Sequence, residues 1–179
     1  DAREAKLVVN IVCDQVRYDY LTRFDKNLSP GGCRKLLDES MVFTEARYGF
    51  MQTFAPVTLA TLMTGADPST HGVISRYWID RTQNTEKDLI KDFSARGLEA
   101  ESGKANFSPV NLIAPTTGDR LKEQSPDSKV ITIATDPYSA VVMGGLSSAT
   151  FWMDADRAAW VSSTAYMNQL PAWVRGLNN

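Results

Sequence analysis

The run KLVVNIVCD, residues 6–14, constrains the fold most. Its residues are apolar and mostly β-branched, without the polar alternation of a half-exposed strand, and it ends on an acid. Such a run predicts a strand buried on both faces, as in a parallel sheet. KVITIATD, residues 129–136, repeats the pattern, and MVFTEARYG, residues 41–49, has strand composition. Between them lie stretches of helical character. YDYLTRFDKN predicts a short helix, and SPGGCRKLLDES a second, with Ser29 as N-cap and Pro30 in the first turn. APVTLATLMTG predicts a third, with Pro56 early, Leu59, Leu62 and Met63 on one face and Gly65 at the end. Strands alternating with helices predict an α/β fold, a parallel sheet with helices on both faces.

Further along, GADPSTHG is a turn-rich exit. Residues 76–106 are polar and weakly periodic, which predicts an excursion away from the core with a short hairpin around YWIDRTQN. TTGDRLKEQSPDS predicts a helix and its exit, and PYSAVVMGG a helix ending on glycine. ATFWMDADRAAWVSS predicts a hairpin turning at residues 154–157, and LPAWVRGLNN a closing amphipathic turn or helix.

A chain of 179 residues has room for one domain with a sizeable core. A net charge of -2 gives no reason to expect a nucleic-acid partner, and no apolar run reaches membrane-spanning length. The first residues, DAREAKLVVNIV, lack a starting methionine and a secretory h-region, so they read as a trimmed or mature chain. Cys13 and Cys33 read as buried free thiols; a bridge between them needs an oxidising compartment. There is no C-x-x-C, and His71 is the single histidine, which limits any metal centre.

In a parallel α/β sheet, function gathers at the carboxyl ends of strands. Asp14 ends the first run, Asp136 follows the later one, and Ala55 opens the helix after the third. Asp14 has two readings: a ligand for a divalent cation, or a cap on the following turn. Ala55 stands where a helix N-terminus would stabilise an alkoxide or an incoming phosphate, but its side chain carries no heteroatom. Thr53 precedes that corner and Thr58 lies inside the first helical turn, and either hydroxyl is a lesser candidate for the role. His71, in PSTHG, reads as a structural histidine tying down a loop. Trp78, Trp152, Trp160 and Trp173 read mainly as core or hairpin packing, with a sugar- or base-stacking platform as the weaker reading.

KLVVNIVCDQVRYDYLTRF, TLMTGADPSTHGV, SPVNLIAPTTGDRLKE and the later pieces SKVITIA, FWMD, WVSS and LPAWV together resemble the alkaline phosphatase superfamily. Within it the chain is similar to the phosphate-irrepressible alkaline phosphatases and the nucleotide pyrophosphatase/phosphodiesterase enzymes. The likeness implies an α/β sandwich around a mostly parallel sheet, with residues 1–179 as its N-terminal part. It also implies a chemistry. Two zinc ions activate a Thr or Ser alkoxide, which attacks a phosphate ester, and water later cleaves the phospho-enzyme.

Carried over position by position, the resemblance keeps Asp14 as the first metal-ligating aspartate and puts Ala55 at the nucleophile position. It places Arg76 where the branch has a phosphate-contacting asparagine. It places Asp136 and Tyr138 where a lysine and an arginine contact the transferred phosphoryl group. The remaining metal ligands of the family lie downstream, so the chain reads as an N-terminal fragment or a pared-down relative, with no tight zinc site of its own. Three functions follow as expectations. One is part of a phosphatase or phosphodiesterase acting on phosphate esters. Another is a pseudoenzyme serving as a binding or assembly module for a protein partner. The weakest is a carbohydrate- or peptidoglycan-facing module. The family likeness implies a periplasmic or extracytoplasmic location.

Overall fold

The computed structural model describes residues 5–101 and 104–179. Its internal contacts divide the chain into two units, Asp1–Arg47 and Tyr48–Asn179.

The first unit contains α1 (Asp19–Arg23), a 3-10 turn at Asp25–Asn27 and α2 (Cys33–Glu39). The expected helix over YDYLTRFDKN is thus split. The second helix starts at Cys33 with Gly32 as N-cap and no side-chain cap, rather than at Ser29. Ser29 instead accepts the Gly32 N–H in a turn, because two consecutive glycines are poor helix formers. The two expected strands of this unit do not form. Residues 6–14 and 41–49 have no ladder, and Leu7 and Met41 are each 80% exposed. β-rich composition stabilises a strand only against neighbours that complete its pleated surface, and the unit has no described strand to supply them. Cys13 and Cys33 are free and exposed, which corrects the expectation of buried thiols.

The second unit carries the ordered core. Its elements are α3 (Ala55–Thr64), α4 (Pro68–His71), β1 (Tyr77–Asp80), β2 (Thr85–Asp88), β3 (Gly97–Leu98), α5 (Thr117–Gln124), β4 (Ile131–Ala134), α6 (Pro137–Gly144), β5 (Ala149–Asp154), β6 (Ala159–Ser163) and α7 (Ala172–Leu177). The four-stranded sheet runs β3-β6-β5-β4, and β1 and β2 form a separate hairpin. β4 and β5 pair parallel, joined through α6, while β5 with β6 and β3 with β6 pair antiparallel. The α/β class holds, with a mixed sheet.

Alternation along β5 separates two cores. Trp152 belongs to the larger one, with Val57 and Ala60 of α3 and Ala140 and Val141 of α6. Phe151, its neighbour in sequence, points the other way and packs with Leu170 and Val174. β5 is therefore buried on both faces, with helical residues on each side. α3 runs as expected, from Pro56 in its first turn to Gly65 in the left-handed conformation. Its buried face is Pro56, Val57, Leu59 and Ala60, whereas Leu62 is exposed, so the stripe is displaced from the expected one.

The segment over 76–106 is part hairpin and part core. The β1–β2 turn is held by Asp80 Oδ1, which accepts from the Thr82 N–H at 2.9 Å. Leu89, Ile90 and Ala105, however, are buried with the larger core, so this polar stretch does not simply lead away from it. Among the described residues no helix is long and apolar enough to cross a membrane.

Candidate functional site

Ala55 is the first residue of α3, following Phe54 in extended conformation. Pro56 has no N–H, and the Val57 and Thr58 amides both donate to the Phe54 carbonyl, at 2.9 and 3.1 Å. Of the first turn, only the Ala55 N–H is left unpaired among the described residues. The neighbouring hydroxyl does not replace the missing one, since Thr58 Oγ1 donates back to the Ala55 carbonyl at 3.1 Å. Thr53 is exposed, two residues before the helix. This corner offers one backbone donor and a methyl group.

Three other expected positions do come together. Arg76 leads into β1, and Asp136 and Tyr138 open α6. The Arg76 guanidinium lies over the Tyr138 ring, 4.8 Å from its centroid, in cation–π geometry. Its Nη2 is 3.9 Å from Asp136 Oδ1, an ion pair between half-exposed groups. Asp136 also caps α6: Oδ1 accepts from the Tyr138 N–H at 3.0 Å and Oδ2 from the Ser139 N–H at 3.2 Å. Aspartate at this position therefore has a local structural role in starting the helix.

Tyr138 extends the cluster to two residues that the sequence reading did not single out. Its Oη lies 2.8 Å from the Tyr77 Oη and 2.8 Å from Asp88 Oδ2. Tyr138 has a single O–H to donate, and the Asp88 carboxylate can only accept, so the Tyr77 hydroxyl is the natural donor to Tyr138. Burial first, and then the bonds to Tyr77 and Asp88, push the Tyr138 phenol far above its ordinary range. The hairpin register pairs Tyr77 with Asp88 across the two strands, which was the available signal for this pair. Tyr77 and Asp88 also border a cleft of about 420 Å³, whose walls include Lys91, Phe93 and Asn111.

His71 is fully buried, and both ring nitrogens are occupied. Nδ1 accepts the Val73 N–H at 3.1 Å, and Nε2 is 3.0 Å from Thr61 Oγ1. Because Nδ1 accepts, the proton of the neutral ring lies on Nε2, which donates to Thr61. Burial lowers the pKa of His71 against a smaller upward pull from Asp67. His71 is thus a loop-tying residue, as expected.

Asp14 lies in the first unit at a turn rather than at a strand end, and its Oδ1 accepts the Gln15 N–H at 2.8 Å. Among the described residues, no three His, Cys, Asp or Glu side chains gather to hold a metal ion. With His71 buried and engaged at both nitrogens, the donor set of these residues does not fit a two-zinc centre.

A sequence profile described as type I phosphodiesterase / nucleotide pyrophosphatase matches residues 8–169. Over 175 residues the chain is 32% identical to a calcium-transporting ATPase of Myroides odoratus and 31% identical to alkaline phosphatase PhoV of Synechococcus elongatus. Each match covers 97% of this chain and 32% of the relative. Alkaline phosphatase PafA of Elizabethkingia meningoseptica is 28% identical over 177 residues. The crystal structure of wild-type PafA superposes with a TM-score of 0.90 at 26% identity, covering 93% of this chain and 32% of that one. The chain thus spans about a third of the length of the curated relatives it matches.

Proposed function

The chain belongs to the type I phosphodiesterase / nucleotide pyrophosphatase family of the alkaline phosphatase superfamily, and from that premise we propose that it is a phosphoester-hydrolase domain whose covalent chemistry has been lost. The observation that carries this reading is Ala55 at the start of α3. A methyl group there can form no bond to phosphorus, and the nearby Thr58 hydroxyl is turned onto its own helix. The altered neighbours support it. Asp136 presents negative charge where the resemblance expects a lysine, and Arg76 is engaged by Tyr138 and Asp136. What remains is a scaffold that binds a phosphate ester or a protein partner without turning it over.

The second reading rests on the family itself: a hydrolase acting on phosphate esters, with water as the direct nucleophile. Zinc would supply Lewis-acid activation there, but the described residues do not fit that metal pair, so no step here passes through it. A periplasmic or extracytoplasmic location belongs to the same proposal and rests on the family resemblance alone.

Hydrolysis of p-nitrophenyl phosphate and bis-p-nitrophenyl phosphate, with Zn²⁺ added, tests the reading. The unmodified chain is expected to give no turnover above a denatured control. Ala55→Thr is expected to give none either, because one hydroxyl does not restore the surrounding charges. Zinc-dependent turnover by the unmodified chain would overturn the proposal.

A further inference from the structure

We infer that α7 is a strap across one face of the four-stranded sheet and that the Asn178 carboxamide is its clasp. Freeing the clasp opens α7 locally and uncovers the smaller core, while the larger core stays closed. Neither α7 nor Asn178 belongs to the positions carried over from the phosphatase resemblance.

The clasp is a two-way hydrogen bond. Asn178 Oδ1 accepts the Trp160 N–H at 2.7 Å, and Nδ2 donates to the Trp160 carbonyl at 2.9 Å. A neighbouring strand makes the same exchange with the residue opposite it. The register shows why Trp160 takes a side chain instead. β3 pairs with β6 at Gly97↔Ser163 and Leu98↔Ser162, so a longer β3 would bring Ala100 opposite Trp160. Glu99 adopts a left-handed φ of 57°, and the strand stops at Leu98. The carboxamide of Asn178 fills the place of the missing peptide group. Its own backbone N–H donates to the Val174 carbonyl at 3.2 Å, so the clasp residue also closes the last turn of α7.

Among the described residues, little else holds α7. Six residues form no stable helix alone in water, and no side chain caps its start. Its one buried residue is Val174, which joins Phe151 and Leu170 in the smaller core. Trp173 adds an edge-to-face contact with Phe151, ring centroids 5.3 Å apart, but stays half-exposed. The larger core is closed differently, by α3 and α6, which bury four residues each. A helix held by one buried side chain opens at a lower free energy than the unit unfolds. Two neutral hydrogen bonds are then a large share of what keeps it shut. Its opening brings Phe151 and Leu170 to solvent.

The test is native-state amide hydrogen exchange on the full chain. Asn178→Ala removes both bonds of the clasp. Asn178→Asp keeps an acceptor for the Trp160 N–H but has no donor for its carbonyl, and it serves alone should the first variant fail to fold. In Asn178→Ala the amides of Trp160, Val174 and Arg175 are expected to exchange at least about tenfold faster, with Ala140 in α6 unchanged. In Asn178→Asp, with one bond left, the rise at the same three amides is expected to be smaller, again without Ala140. Unchanged exchange at Trp160 and in α7 would overturn the inference. An equal rise at Ala140 would overturn it too, because Asn178 would then stabilise the whole unit rather than hold α7.

Discussion

His71 makes the turn over 68–72 dependent on proton concentration. Nδ1 must stay unprotonated to accept the Val73 N–H, and burial lowers its folded pKa below the ordinary value of 6.5. In the window between that lowered value and 6.5 the unfolded chain binds the proton and the folded chain does not, so stability rises with pH. The contribution is complete above about 6.5 and is lost as pH falls through the window. Urea midpoints measured across pH 5–8 should therefore fall on the acid side, and His71→Asn should flatten that slope while lowering the midpoint throughout. A second prediction concerns Tyr138→Phe. It removes the hydroxyl shared by Tyr77 and Asp88 but keeps the ring beneath Arg76. The expected cost is about 1–2 kcal/mol by chemical denaturation, the worth of hydrogen bonds lost to a charged partner. Of these residues, His71 was legible as structural because a lone histidine in a turn has few other uses. Tyr77 and Asp88 were legible only as partners across a hairpin, because their contact with Tyr138 depends on a helix that sequence spacing does not bring to them.

At the scale of elements, the start of α5 joins two parts of the second unit. Thr116 and Asp119 form a reciprocal capping box. The other oxygen of the buried Asp119 carboxylate accepts from the Leu146 and Ser147 amides, at 2.9 and 2.7 Å. Asp119→Ala would leave all of these donors without their acceptor, and a loss of about 2–4 kcal/mol in unfolding free energy is expected, measured by urea denaturation. Gly144, at the end of α6, leaves no room for a methyl group, since a Cβ there would collide with Thr150 Oγ1 and Cβ. Gly144→Ala should destabilise by about 1–3 kcal/mol, seen as a lower melting temperature. Helices with Pro near the start and Gly at the end, α3 above all, were readable because both signals act within a few residues. The β5–β6 hairpin was readable for the same reason, as a turn sequence between two alternating runs. Residues 6–14 show the opposite case. Their composition states a preference for strand, but only a partner ladder satisfies it, and that partner is not local information.

For the molecule as a whole, the two units differ in what they leave to solvent. The first exposes Leu7, Val8, Val9 and Ile11, together with Met41 and Phe43. Apolar exposure on this scale binds hydrophobic dyes. The chain should raise 8-anilinonaphthalene-1-sulfonate fluorescence under native conditions, and Leu7→Ser with Ile11→Ser should lower it without moving the melting transition. A silent dye would contradict the exposure. The second unit adds an asymmetry of its own. β4 closes the series β3-β6-β5-β4, is bonded among the described residues to β5 alone, and exposes Ile131 and Ile133. It carries no proline or charge within Ile131–Ala134 to discourage further pairing. Among the described residues, the longer of the two terminal strands thus presents an unpaired border. Such a border favours the addition of a further extended backbone, so recovery from denaturant should worsen as protein concentration rises.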